Sequence, residues 1–224
     1  MAYLTIIAVA VISYLIGSVN FSIMLSKAIG GKDIRESGSG NAGATNMLRT
    51  YGKKMGILTL LLDVFKGVAA ILIMRYIVYT LIPDNVFFDM GSIETALYLS
   101  LSYIAGVCVI LGHNFPLYFG FKGGKGVATS LGVVLMLDWK VGLAVAVCAI
   151  AVMAVTRYVS LGSILGGALY IVIEITKTVM LRKYNIAELA CIVIIGGLLI
   201  IRHKENIKRL LNGTENKLSF KKSE

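Results

Sequence analysis

The stretch AYLTIIAVAVISYLIGSV, residues 2–19, contains no charged residue. Nothing else in the chain constrains its fold as much, because a helix needs about 20 apolar residues to cross a bilayer's hydrocarbon core. The stretch belongs to the first of seven apolar segments, at about 3–28, 55–74, 92–112, 125–138, 140–156, 158–180 and 187–202. Lipid offers no partner to backbone N–H and C=O groups, so only helices and closed barrels cross it. The segments lack the in–out alternation of barrel strands. A hydrophobic content of 57% exceeds the balance of soluble domains. The sequence therefore predicts an all-α, polytopic integral membrane protein with about seven transmembrane helices. Residues 1–224 form a single domain, with a basic tail at 203–224.

Residues 125–138 would reach only about 21 Å as a helix, short of the roughly 30 Å core. Asp138-Trp139-Lys140 reads as an interfacial turn with an aromatic anchor. Counting this hairpin as two crossings gathers loop 29–54, loop 113–124 and tail 203–224 on one side, with about 16 of the 22 Lys and Arg residues. Cytoplasmic loops carry such an excess, so the N-terminus is expected outside and the C-terminus in the cytoplasm. Arg182 and Lys183 fall on the outer side, against the trend. The first segment lacks the basic flank and cleavage site of a secretory signal and reads as a retained helix.

The net charge of +10 sits beside apolar segments instead of striping a soluble face, which favours membrane orientation over nucleic-acid binding. Cys108, Cys148 and Cys191 show no metal spacing and read as small buried hydrophobes; no metal or cofactor is expected. Ser13 with Gly17, and Gly162 with Gly166, mark close helix packing. Asp63 and Lys66, spaced i,i+3, read as an intrahelical pair shielding itself from lipid.

Three polar patches fall on the predicted cytoplasmic side. In SGSGNAGATNMLR, residues 37–49, glycines permit close backbone approach. Ser39, Asn41, Thr45 and Asn46 offer neutral hydrogen bonds, and Arg49 adds a planar fork suited to phosphate. Residues 38–43 fit G-x-G-x-x-G, but no strand precedes them, so a dinucleotide site is rejected. In GHNFPLYFGFKGGKGVAT, residues 112–129, Gly123, Gly124 and Gly126 can form an anion nest, with Lys122 and Lys125 supplying charge. The following short helix points its positive N-terminus at the same spot. It is not a Walker A loop, because Phe119 and Gly126 stand where Gly and Ser or Thr belong. Tyr118 stands where an H-x4-D acyltransferase would place its Asp relative to His113, so His113 is read chiefly as shaping the turn. In HKEN, residues 203–206, His203 and Asn206 share a helix face.

Taken in order, SGSGNAGATNMLRTYGKKMGILTLLLDVFKG, GHNFPLYFGFKGGKGVAT and RHKENIKRLLNGTENK make the chain resemble the bacterial membrane glycerol-3-phosphate acyltransferases that use acyl phosphate, the PlsY family. The resemblance covers most of the chain, with extra length around residues 76–91 and in the tail. It implies acyl transfer from acyl phosphate to the first-carbon hydroxyl of glycerol 3-phosphate, giving lysophosphatidic acid and phosphate. It implies a bacterial cytoplasmic membrane enzyme with its site at the cytoplasmic face. Its expected partners are the two substrates, membrane lipid and the soluble enzyme that makes acyl phosphate, with no nucleic acid.

Carried across, the resemblance makes Ser39, Arg49, His203 and Asn206 catalytic, and Lys125 with its flanking glycines the glycerol 3-phosphate site; Glu205 is structural. Acyl phosphate is already activated, so positioning and oxyanion support matter more than a strong acid. Either His203 or the substrate phosphate takes the hydroxyl proton. A covalent route through Ser39 lacks a Ser-His-Asp pattern. A transporter would place its polar groups at the midplane, within paired repeats. A lipid-binding scaffold leaves the first patch unexplained.

Overall fold

The computed structural model describes residues 2–81, 93–182 and 185–218. Its regular elements are helices: α1 (Ala2–Ser18), α2 (Phe21–Gly30), α3 (Ala44–Tyr51), α4 (Lys53–Leu81), α5 (Ile93–Asn114), α6 (Val127–Leu137), α7 (Trp139–Thr156), α8 (Val159–Met180), α9 (Ile186–Arg202) and α10 (Lys204–Leu211). Short 3-10 helices at Ile34–Glu36 and Leu117–Phe119 sit in the loops after α2 and α5. The extra length expected around residues 76–91 lies largely outside the described residues, as do Lys183 and the tail beyond Leu218.

Among the described residues, five helical stretches are long and apolar enough to span a bilayer: Tyr3–Gly30, Lys53–Thr80, Tyr98–Phe119, Trp139–Thr156 and Val159–Met180. A sixth is reached if α9 and α10, bent by 54° at His203, count as one broken span. The expected count of seven also requires α6, whose 11 residues reach only about 16 Å. Both of its ends are fixed locally. Gly126 enters with φ 82, and Asp138 leaves extended to cap α7, accepting from the Lys140 and Val141 amides. The first expected helix is also divided. Asn20 interrupts it by turning its side chain onto the Ile23 amide at 3.2 Å, an N-cap that starts α2.

Helices associate in lipid through close contact more than through hydrophobic drive. A Cβ on Gly17 would lie 2.1 Å from the Val109 carbonyl oxygen, and one on Gly112 would lie 2.2 Å from that of Tyr14, which sets the α1–α5 contact. Gly67 and Gly132 join α4 to α6 in the same way, through the Thr129 and Val64 carbonyls. Gly162 does so for α8 on α7, as expected, whereas Gly166 makes only ordinary contacts. Buried Val109, Ile110, Val133, Tyr170 and Ile195 form the centre. Phe65, Val147, Ile150 and Val155 lie exposed, as a lipid-facing surface requires. Cys148 is exposed on α7, and Cys108 and Cys191 are half-buried, which corrects the expectation that all three cysteines are buried.

Asp63 and Lys66 pair at 3.1 Å, both buried. They face the bundle interior, where Lys66 also donates to the Gly17 and Val19 carbonyls at 3.1 and 2.8 Å. Those oxygens lose helical partners where α1 breaks.

Candidate active site

The three patches meet where the loop before α3, the loop between α5 and α6, and the bend between α9 and α10 come together. The α5–α6 loop folds back on the end of α5. Gly123 N–H donates to the Asn114 carbonyl at 3.1 Å, and Gly124 N–H to the His113 carbonyl at 3.2 Å. Two arginines hold its outward carbonyls. Arg35 donates to Phe119 and Lys122 at 2.8 and 2.9 Å, itself steadied by Asp33. Arg202 donates to Gly124 at 3.0 Å and stacks over Phe115. The Gly123 and Gly124 amides are therefore committed within the loop, which corrects the expected anion nest at these two positions. The helix terminus survives as a donor: the first turn of α6 has unsatisfied N–H groups by construction, and no side chain caps it at Gly126.

The glycines are needed for room. A Cβ on Gly124 would lie 2.3 Å from both the Ala42 carbonyl oxygen and His113 Nε2. This point is where the first and second patches touch.

Lys125 Nζ hydrogen-bonds Asn206 Oδ1, joining the second patch to the third. Asn206 in turn donates to Glu215 at 2.8 Å. Gly213, with φ 69, turns the tail back so that Glu215 also accepts from Ser160 at 3.0 Å and Arg209 at 2.8 Å. Burial opposes ionisation of Glu215, but the hydrogen bonds from Asn206, Arg209 and Ser160 outweigh it and hold the carboxyl below the usual range. Arg49 reaches the same tail, donating to the Asn216 carbonyl at 3.4 Å. His203 is buried, and its Nδ1 lies 2.7 Å from the Leu199 carbonyl. A carbonyl only accepts, so Nδ1 carries the proton and Nε2 is left with its lone pair when the ring is neutral.

The first patch divides into frame and surface. Asn46 is buried; its Nδ2 faces the Ile34, Ser37 and Asn41 carbonyls at 3.0, 2.9 and 3.1 Å, and its Oδ1 accepts from the Ser39 amide at 2.9 Å. Its hydrogen-bonding capacity is consumed in shaping the loop, which corrects its assignment as a substrate ligand. Ser39 and Lys122 are exposed, while Asn41 and Thr45 are half-buried. Sequence reasoning passed over Arg35, Arg202 and Glu215. The Gly213-x-Glu215 turn after a basic helix is the one local signal among them.

Burial pushes the Lys125 ammonium down to about 8; Glu215 opposes this, and Arg209, Arg49 and Arg202 add to it. Below that value the side chain is a cation, and above it the charge is lost. kcat/KM for an anionic substrate held by Lys125 is expected to fall as pH rises through about 8, approaching tenfold per unit. Lys125→Arg, charged throughout, is expected to flatten this limb; an unflattened profile would detach it from Lys125.

Comparison with known proteins gives the class first. The chain is 36% identical to a crystal structure of PlsY, an integral membrane glycerol 3-phosphate acyltransferase, in its glycerol 3-phosphate form, with TM-score 0.78 over 96% of each chain. The lysophosphatidic acid form matches at 34% identity and TM-score 0.73. The protein is thus an integral membrane acyltransferase. The family model described as Glycerol-3-phosphate acyltransferase matches residues 7–213. A glycerol-3-phosphate acyltransferase of Clostridioides difficile (strain 630) is 43% identical over 96% of this chain and 97% of its own length. One from Halalkalibacterium halodurans is 42% identical over 94% of each. The chain belongs to the glycerol-3-phosphate acyltransferase family.

Proposed function

We propose that the protein transfers an acyl group from acyl phosphate to the first-carbon hydroxyl of glycerol 3-phosphate, at the cytoplasmic face of a bacterial cell membrane. The observation that carries this reading is the junction of Lys125, Asn206 and the open N-terminus of α6, with Arg49 of α3 reaching the adjoining tail. This basin suits a reaction that brings two phosphates together. The relatives' glycerol 3-phosphate and lysophosphatidic acid forms support the acceptor and the product.

In this reading Lys125 and the α6 terminus hold the glycerol 3-phosphate phosphate. Gly123, Gly124 and Gly126 provide the space, and Lys122, Asn41 and Thr45 line the rim. Arg49 steadies the donor phosphate, while Ser39 and Asn206 hydrogen-bond the reacting groups. The hydroxyl oxygen forms a bond to the acyl carbon, and the bond from that carbon to the phosphate oxygen breaks. Inorganic phosphate leaves with the bonding pair, and His203 Nε2 accepts the hydroxyl proton. His203→Asn is expected to lower kcat about 10²-fold, the common contribution of a general base. Retention of kcat within a few-fold would assign the proton to the substrate's phosphate instead.

The excess of Lys and Arg in these loops supports a cytoplasmic tail and site and an outward N-terminus. The soluble enzyme that makes acyl phosphate is the partner this donor requires. The reading is tested with purified protein in bilayers given glycerol 3-phosphate and either acyl phosphate or an acyl thioester. Lysophosphatidic acid is expected from acyl phosphate; product from the thioester alone would remove the donor assignment.

A further inference from the structure

A second charged cluster lies beneath the glycine loop, and the mechanism above does not use it. Lys66 projects from α4 to where α1 breaks and α5 ends. An ammonium has three N–H donors and no acceptor. Lys66 Nζ has three hydrogen-bond partners: Gly17 O at 3.1 Å, Val19 O at 2.8 Å and His113 Nδ1 at 2.9 Å. Asp63 Oδ1 lies 3.1 Å from the same nitrogen without hydrogen-bond geometry, so it balances the charge. Asp63, Lys66 and His113 are each at most 3% exposed.

The donor count fixes a tautomer. Lys66 Nζ lies 2.9 Å from Nδ1 of His113, whereas Asp63 Oδ1 stands 3.6 Å from that nitrogen, beyond hydrogen-bond reach; Nδ1 is therefore the acceptor from Lys66 and the ring proton sits on Nε2. The Nε2 edge faces the glycine loop, within 2.3 Å of the point where a Gly124 Cβ would stand, beside the Ala42 carbonyl. His113 is therefore a plate between a buried charge and the seam that joins the first two patches. Ionisable groups inside a membrane bundle are costly and tend to mark function.

We infer that Asp63, Lys66 and His113 form a positioning relay that sets the height of the Gly123–Gly126 loop and thereby the affinity for glycerol 3-phosphate. This rests on the reading of that loop as the glycerol 3-phosphate site. Asp63 supplies Lys66 with its counter-charge, Lys66 orients the imidazole, and the imidazole supports the loop. None of the three touches substrate, so the relay acts on acceptor KM and leaves donor KM unchanged.

Two experiments test it. The chain has two histidines, His113 and His203, so 15N-histidine labelling of the full protein gives a readable nitrogen spectrum. Opposite neutral tautomers are expected, Nε2–H for His113 and Nδ1–H for His203, with the His113 signal altered by Lys66→Met. An Nδ1–H tautomer at His113 would overturn the relay whether or not the proposed reaction occurs. The second experiment is a kinetic cycle of His113→Leu, Lys66→Met and their combination. Each single variant is expected to raise the glycerol 3-phosphate KM about tenfold, with the combination no worse than either alone.

Lys66→Met strands a buried carboxylate and risks unfolding. Asp63→Leu with Lys66→Met removes both charges, and is expected to regain thermal stability while keeping the raised acceptor KM. A wild-type KM in that stable variant, or independent additive losses in the cycle, would sink the relay. If the wild-type protein makes no lysophosphatidic acid, the proposed reaction fails by itself, and the tautomer spectrum still decides the cluster.

Discussion

A protein carrying Gly124→Ala is expected to show a glycerol 3-phosphate KM raised about 10- to 100-fold, with a smaller change in kcat. The methyl has nowhere to go. Its position lies 2.3 Å from a main-chain carbonyl oxygen and from Nε2 of an imidazole whose Nδ1 is held by Lys66, and neither is the free end of a flexible side chain. Overpacking of this kind costs about 1–3 kcal/mol, and here it is relieved most readily by lifting the loop. Lifting the loop displaces Lys125 and the start of α6 together, so the acceptor's phosphate loses both donors at once. Arg49, on α3, is not moved, so the donor side is spared. Initial rates against glycerol 3-phosphate at saturating donor measure the effect. Gly197→Ala is the matched control, because nothing lies within 4 Å of its added methyl. An unchanged KM for Gly124→Ala would take the loop out of the acceptor site.

The second large effect is expected from Lys125→Met, which keeps the stem and deletes the charge. A hydrogen bond to a charged group contributes about 1.5–3 kcal/mol, and the variant also leaves Asn206 Oδ1 without its donor. kcat/KM for glycerol 3-phosphate is expected to fall about 10²- to 10³-fold at neutral pH. The inflection near 8 should vanish with it, since the titrating group is gone. Steady-state rates from pH 6 to 9 carry both readouts. A variant that loses rate but keeps the inflection would assign the titration to another group.

The apolar runs made the helical membrane class legible, because hydrocarbon imposes a length and a composition that survive in one dimension. They concealed the break at Asn20, where one capping side chain divides a segment whose hydropathy is continuous. They also overstated α6, whose ends are set by Gly126 and Asp138 and not by the reach of the apolar run. The positive N-terminus of α6 was readable, and so was the gathering of Lys125 with Asn206. The direction of the Gly123 and Gly124 amides was not readable, because it depends on carbonyls at the end of α5. Asn46 was misassigned for the same reason: an amide in a glycine-rich loop serves a ligand or the loop itself, and only its neighbours decide. Arg35 and Arg202 act on carbonyls far along the chain, where no spacing rule reaches. Membership in the family rests on motifs; the roles within it rest on contacts.

The carboxylate of Glu215 has a consequence for biogenesis. It follows α1 to α10 in order of synthesis, yet Asn206, Ser160 and Arg209 converge on it. A nascent chain can thus insert its spans while the cationic pocket still lacks its counter-charge. Competence arrives late, when the ribosome has passed that glutamate and the segment after Gly213 has doubled back to α8.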